Sequence, residues 1–329
     1  MNAPWPAAVA LSGGGDSLAL MHLLAGWAKE RGLVKPVALI VDHALRPGSA
    51  GEARKAAAFA GKAGLAAHVL TRKGARPKSS IEALARDARY ALMGSWLKAH
   101  GIGHLYVGHT LDDQAETFLL RLGRGSGLDG LSAMRALAPF PLKGFEDLTL
   151  ARPLLSIGRS DLRAYLKARR QSWLEDPMNS EARFARSRIR ALLPALEAAG
   201  LSPSRIAGAA QHLARARVAL ELATEAVLAR AARADGKRVL LDRKALAAAP
   251  REMGLRALAA LLMAVSGEPY RPRFEALERL FDRVTGAELG GGATLHGCRL
   301  YPATRAAQLF GPETIVLTRE SSRKAAKRP

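Results

Sequence analysis

The chain has 329 residues, 49% of them hydrophobic, with 50 lysines and arginines against 29 aspartates and glutamates. That length accommodates two or three domains with real cores, and a formal net charge of +21 favours a polyanionic partner, most directly nucleic acid. A single cysteine, Cys298, excludes a disulfide framework and a cysteine-built zinc site and fits a reducing cytoplasm. No secretory leader is expected over residues 1–8, and no apolar stretch of about 18 residues is present to span a membrane.

The first element is an apolar run, Val9-Ala10-Leu11, that stops at Ser12. Gly13-Gly14-Gly15-Asp16-Ser17 follows, and then apolar residues at helical spacing, which predicts strand, tight loop and a helix over 17–31. Glycines let the backbone turn and approach a ligand, and the amides at the helix start make an anion cradle. Ser12 and Ser17 add hydroxyls, and Asp16 is placed to hold a magnesium ion against phosphates. A plain turn would have no use for these polar neighbours. The lysine of a Walker A loop is missing. His22, on the apolar helix face with Leu18 and Met21, reads as a packed residue.

Val37–Val41 is a continuous apolar run, as expected of a buried parallel strand. It ends in Asp42-His43, at the strand end where open α/β sheets bind ligands. A helix over 52–63 and a strand over Ala66–Thr71 follow. The next helix, Ile81–Lys98, carries Arg86 and Arg89 one turn apart, as a solvated basic face or as anion contacts. Leu105–Val107 is a fourth strand. The alternation predicts an α/β fold with a doubly wound, mainly parallel, Rossmann-like sheet.

In Gly108-His109-Thr110-Leu111-Asp112-Asp113-Gln114-Ala115-Glu116-Thr117, Thr110 is suited to cap a helix whose first turn favours acids. Asp113 and Glu116 are three apart and share a face. Capping alone explains such acids, but their position on the sheet edge that also carries Ser12 and Asp42 favours a functional reading. Gly125, Gly127 and Gly130 form a weak G-x-G-x-x-G after a helix, better read as a flexible loop beside the site. A last short strand is expected at Ala151–Leu155, and Ser160 as the cap of a helix with Arg163 and Tyr165. Trp173–Asn179 is rich in turn residues, and Arg183, Arg186, Arg188 and Arg190 form a basic run able to clamp phosphates or face solvent. The expected division is a catalytic domain over 1–200, a helical connector over 201–234, a small α+β domain over 235–320 and a basic tail over 321–329. Short helices are expected at Met253–Val265 and Phe274–Val284, and strands at Thr294–Tyr301 and Thr314–Thr318. Tyr270 lies between basic residues as an RNA contact would.

Ser12-Gly13-Gly14-Gly15-Asp16-Ser17 resembles the loop of the PP-loop ATP pyrophosphatases, which cleave ATP between the α and β phosphates. With Val41-Asp42-His43-x-Leu45-Arg46, Ala85-Arg86 to Arg89-Tyr90, His109 to Thr117, Arg124 to Leu131, Arg152-Pro153-Leu154, Trp173-x-Glu175-Asp176-Pro177-x-Asn179 and Arg186-x-x-x-Arg190, residues 7–200 resemble the tRNA(Ile)-lysidine synthase family. Enzymes of that family adenylate the wobble cytidine of CAU-anticodon isoleucine tRNA and attach free L-lysine to it. The resemblance implies ATP at Ser12, Gly13, Gly14, Gly15, Asp16 and Ser17, with Asp42, His43 and His109 beside it. It implies lysine at Asp113 and Glu116, catalysis by these two with Asp16 and His109, and Mg2+ at Asp16. Arg86, Arg89, Arg186 and Arg190 would meet phosphates or the substrate nucleotide. A cytoplasmic protein without a membrane partner is implied, and a homodimer is compatible with it. Ser187 stands where the family often has asparagine, and a second accessory domain of longer members is expected to be missing. The rivals are a tRNA thiolase of the same superfamily, which would want cysteines near the loop, a small-molecule amidotransferase or synthetase, and a non-enzymatic RNA-binding protein.

Overall fold

The computed structural model describes residues 4–44, 47–73, 81–175, 185–286 and 289–320. They form two compact units, Met1–Ala214 and Arg215–Pro329.

The first unit runs β1 (Ala7–Ala10), α1 (Gly15–Glu30), β2 (Val37–Asp42), α2 (Ser49–Lys62), β3 (Ala67–Thr71), α3 (Ile81–Ala99), β4 (His104–Tyr106), α4 (Leu111–Leu122), α5 (Leu128–Leu131), β5 (Leu137–Pro139), β6 (Thr149–Ala151), α6 (Arg159–Ala168) and α7 (Ala185–Ala198). The strand order is β3-β2-β1-β4-β6-β5, parallel except at the β5 edge. Side chains alternate across the strands. Val9, Ile40, Tyr106 and Ala151 join α1, α2 and α6 in one core, while Ala8, Leu39, Leu105 and Leu150 join Tyr90, Met93 and Leu97 of α3 in the other. Both faces are therefore covered, which is why β2 reads as one apolar run. The chain leaves β1 toward β2 and β3, then returns to lay β4 on the other side of β1. The ends of β1 and β4 consequently flank a topological switch point, where such sheets bind ligands.

α8 (Pro203–Ala231) takes up most of the expected connector. Ile206, Ala207 and Ala210 are buried in its first half, and Val227 and Ala231 of its second half join the core of the next unit. That unit continues as β7 (Ala232–Asp235), β8 (Arg238–Asp242), α9 (Arg243–Ala247), α10 (Arg251–Ser266), α11 (Phe274–Thr285), β9 (Ala293–Leu295), β10 (Cys298–Pro302) and β11 (Thr314–Arg319). Its antiparallel sheet has the order β7-β8-β11-β10-β9. Leu277, Leu280, Phe281 and Val284 recur at helical spacing and bury one face of α11.

Four expectations need correction. The cap of α6 is Gly158, and Ser160 lies inside the helix behind Arg159. The strand expected at Ala151–Leu155 is instead Thr149–Ala151, since Pro153 has no N–H for a ladder. The expected strand over Thr294–Tyr301 is a hairpin, because His296 and Gly297 both have positive φ, 58° and 69°, as a two-residue primed turn requires. The glycine-rich stretch after α4 closes into the helical turn α5, with Arg121 Nη1 donating to the Gly130 carbonyl at 2.7 Å.

Candidate active site at the β1–β4 switch point

The loop after β1 is braced from within. Ser17 Oγ donates to the Gly14 carbonyl at 2.9 Å and lies 3.1 Å from Ser12 Oγ, which accepts from the Gly14 N–H at 3.3 Å. Gly13 has φ +85°, and a Cβ there would come within 2.7 Å of Leu174 Cδ1. Leu174 in turn donates its N–H to the Gly13 carbonyl at 2.9 Å, so the segment after α6 lies against the loop. α1 starts at Gly15, with its free amides and positive dipole end at the ligand edge of the sheet.

The end of β4 comes close to this loop: a Cβ on Gly108 would lie 3.0 Å from the Asp16 carbonyl oxygen. Thr110 then caps α4 in a reciprocal box, accepting from the Asp113 N–H while Asp113 Oδ2 accepts from the Thr110 N–H at 2.9 Å and hydroxyl at 3.0 Å. This fixes the Asp113 carboxylate, and Glu116, one turn on, is fully buried.

Arg159, the first residue of α6, enters between these carboxylates. Its Nε donates to Asp16 Oδ2 at 3.2 Å, Nη2 to Asp113 Oδ1 at 3.3 Å and Nη1 to Glu116 Oε1 at 3.3 Å, while its backbone N–H donates to Asp112 Oδ2 at 2.7 Å. From α7, Arg190 donates to both Glu116 oxygens, Nε to Oε1 at 2.6 Å and Nη2 to Oε2 at 3.2 Å. Burial raises the Asp16 carboxyl above its ordinary pKa, opposed by Arg159 and reinforced by Asp113 and Asp112. Burial works against the charge on Arg159, but Asp113, Glu116 and Asp16 outweigh it and hold the guanidinium above its usual range.

His109 lies next to this cluster. Arg152 Nε donates to its Nδ1 at 3.1 Å. An arginine has no acceptor, so Nδ1 carries no proton and the ring hydrogen of the neutral form resides on Nε2. Burial depresses the His109 pKa from 6.5 to about 4; Asp113 opposes this, and Arg152, Arg186 and Arg86 add to it. Arg86 and Arg89 also stand over the Tyr90 ring, 5.6 and 5.5 Å from its centroid. At the end of β2, Asp42 is buried and its Oδ1 accepts from the Ala44 N–H at 3.0 Å and the Ser49 hydroxyl at 2.7 Å, shaping its own loop; His43 is half-buried beside it.

Residues 5–196 match the ATP_bind_3 family, a PP-loop domain. A tRNA(Ile)-lysidine synthase of Wolbachia pipientis is 37% identical over 319 residues, covering 96% of this chain and 71% of that protein. One of Methylobacterium nodulans is 39% identical over 300 residues, covering 89% and 86%. The chain belongs to the tRNA(Ile)-lysidine synthase family. The structure of the U34-tRNA thiolase NcsA of Methanococcus maripaludis, solved with its 4Fe-4S cluster, matches 64% of this chain and 71% of its own at 19% identity and a TM-score of 0.53. That likeness speaks for the fold alone. The thiolase alternative is the less supported one: Cys298 is buried in the second unit, with Sγ donating to the Leu262 carbonyl at 3.4 Å.

In this member of the lysidine synthase family, the structure draws Asp16, Asp113, Glu116 and Arg190 together around Arg159, with His109 on Arg152 next to them. Two participants carry no expectation from the sequence. Arg159 adjoins Ser160, the expected cap, and the signal it carries is that a basic residue in a first helical turn opposes the dipole. Arg152 stands in a quoted motif, but its partner His109 is distant in the chain. Leu45, Arg46, Asp176, Pro177, Asn179, Arg183 and the tail at 321–329 lie outside the described residues.

Proposed function

We propose that the chain adenylates the wobble cytidine of a CAU-anticodon isoleucine tRNA with ATP and then joins free L-lysine to it. One observation carries this reading: Asp16 of the phosphate loop and the carboxylate pair Asp113 and Glu116 of α4 meet on a single guanidinium, so a nucleotide cradle and a cation-seeking pair adjoin. In the first step the cytosine C2 oxygen attacks the α-phosphorus and pyrophosphate leaves. In the second, the side-chain amine of lysine attacks C2, the C2–O bond breaks, AMP departs and the amine loses a proton.

The residues divide these tasks. Backbone amides of Gly13–Ser17 receive the triphosphate, with Ser12 and Ser17 holding the loop in shape. Asp113 and Glu116 hold the amino acid by its ammonium charge and orient it for attack. His109, neutral and protonated at Nε2, acts as a hydrogen-bond donor toward the reacting phosphate or base, and Arg86, Arg89, Arg186 and Arg190 supply positive charge around the nucleotide. Asp16 is the residue that would ligate a magnesium ion, which would neutralise charge on the departing pyrophosphate. Among the described residues no three His, Cys, Asp or Glu side chains are placed to hold a metal. That fits an ion carried in on phosphates, which needs only one or two carboxylates.

The second unit would add contacts to tRNA. Tyr270 and Phe274 are 79% and 60% exposed beside Arg271 and Arg273, a pairing of stacking surface and charge suited to RNA. No helix among the described residues is long and apolar enough to cross a membrane, and a reducing cytoplasm is the compartment that suits this substrate. Mass spectrometry of nucleosides from CAU tRNA incubated with protein, ATP and labelled lysine tests the proposal. A cytidine derivative carrying the lysine label, with AMP and pyrophosphate in equal amount, is the expected result. Release of ADP, or an unmodified cytidine, contradicts it.

A further inference from the structure

Arg159 occupies the place where a cationic substrate would sit. Its three side-chain contacts are single and long, 3.2, 3.3 and 3.3 Å, one from each nitrogen, whereas Arg190 holds Glu116 with a 2.6 Å contact in a two-oxygen grip. Arg159 is thus spread over three carboxylates and makes a strong fork with none. Its positive charge also sits at the positive end of α6, where only the surrounding acids favour it. The side chain is 20% exposed, and the acid nearest its Nε belongs to the phosphate loop. A planar guanidinium prefers two oxygens of one phosphate, in a bidentate pair, to such a split arrangement.

Building on the ATP and lysine reading given above, we propose that Arg159 is an exchangeable counter-ion: it fills the amine site until bound triphosphate draws its guanidinium away, and only then is the site open to the ammonium group of lysine. The cluster tolerates the exchange because three carboxylates, Asp16, Asp113 and Glu116, face the two guanidinium groups of Arg159 and Arg190, with Asp112 held beside them on the Arg159 backbone N–H. An ammonium ion replaces one charge with another, and Arg190 stays on Glu116 throughout. Nucleotide and lysine then bind with positive coupling, which by linkage is the same whichever arrives first. A permanent counter-ion makes the opposite forecast, since it would orient the carboxylates for lysine whether or not nucleotide is bound.

Calorimetric titration of L-lysine into the full-length protein, with and without α,β-methylene-ATP, separates the two. The wild-type protein should bind lysine about tenfold or more tightly with the analogue present, within the usual span of coupling between sites. Arg159→Met, which keeps length and loses charge, should bind lysine tightly in both conditions, with the coupling gone. Arg159→Gln, which keeps donors without charge, should behave as the Met variant does and serves where the latter melts early. The proposal is overturned if the wild-type protein shows no coupling, if coupling survives in these variants, or if they bind lysine more weakly than the wild type. The nucleoside assay of wild-type protein judges the function separately. Lysidine formed without coupling refutes the exchange alone, and absence of lysidine refutes the reading of the site on which it rests.

Discussion

His109 and Arg159 show how single side chains set the electrostatics of the site. His109 has its pKa pushed from 6.5 to about 4, chiefly by burial. Between those values the unfolded chain takes up a proton that the folded chain refuses, so stability is full above pH 6.5 and declines as pH falls toward 4. The melting temperature should therefore drop between pH 7 and pH 5, and the drop should be smaller in His109→Gln, which cannot titrate. An equal drop in both proteins would mean that His109 is charged or solvated in the folded state. For the same reason the rate profile should show no limb near pH 6.5 from this residue. The placement of Asp16 at the loop and of Asp113 and Glu116 at the start of α4 is legible from their neighbours in sequence, because loop and helix-start chemistry is local. The positions of Arg159 and Arg152 are not, since their partners come from other elements: Arg159 reaches the carboxylates only because α6 packs against α1 and its first residue meets Asp112 at the start of α4.

At the scale of elements, α4 illustrates how a cap doubles as a positioning device. The Thr110 hydroxyl accepts from the Asp113 amide and donates to Asp113 Oδ2, so one side chain both starts the helix and aims its carboxylate. Thr110→Ala should cost about 1 kcal/mol of stability, as lost caps do. It should also raise the KM for lysine more than that for ATP, measured by pyrophosphate release and lysine incorporation in parallel. Equal rises in both would confine Thr110 to a structural role. The parallel strands and their helices follow from apolar runs and periodicity, and the order of elements through α4 is readable from the chain. The edge strand β5, three residues with one ending in Pro139, has too little pattern to be seen. The break at His296-Gly297 is hidden because histidine rarely adopts a positive φ.

Across the whole molecule, the net charge of +21 and the division into two units bear on how a large polyanion is held. Affinity for tRNA should fall linearly with salt on logarithmic axes, by about 0.7–0.9 per phosphate contact. A titration in which affinity is insensitive to salt would remove the electrostatic account. The charge was legible at once, but the function was not legible from charge. It required the ordered motifs, and then the switch point that assembles them.

In the proposed division of the site Asp113 serves the amine and the phosphate loop serves the nucleotide, and the two half-reactions separate these. Single-turnover adenylation of CAU tRNA without lysine, followed by a lysine chase, should be measured for wild type and Asp113→Asn. The substitution keeps size and removes charge, and Asp113 is a cleaner probe than Glu116, whose loss would strand Arg190 as well as Arg159. A charge-assisted contact is worth about 1.5–3 kcal/mol, so the chase should slow by roughly ten- to a hundredfold while adenylation is largely kept. If adenylation falls as far as the chase, Asp113 belongs to the nucleotide and its metal, and the division of the site is wrong.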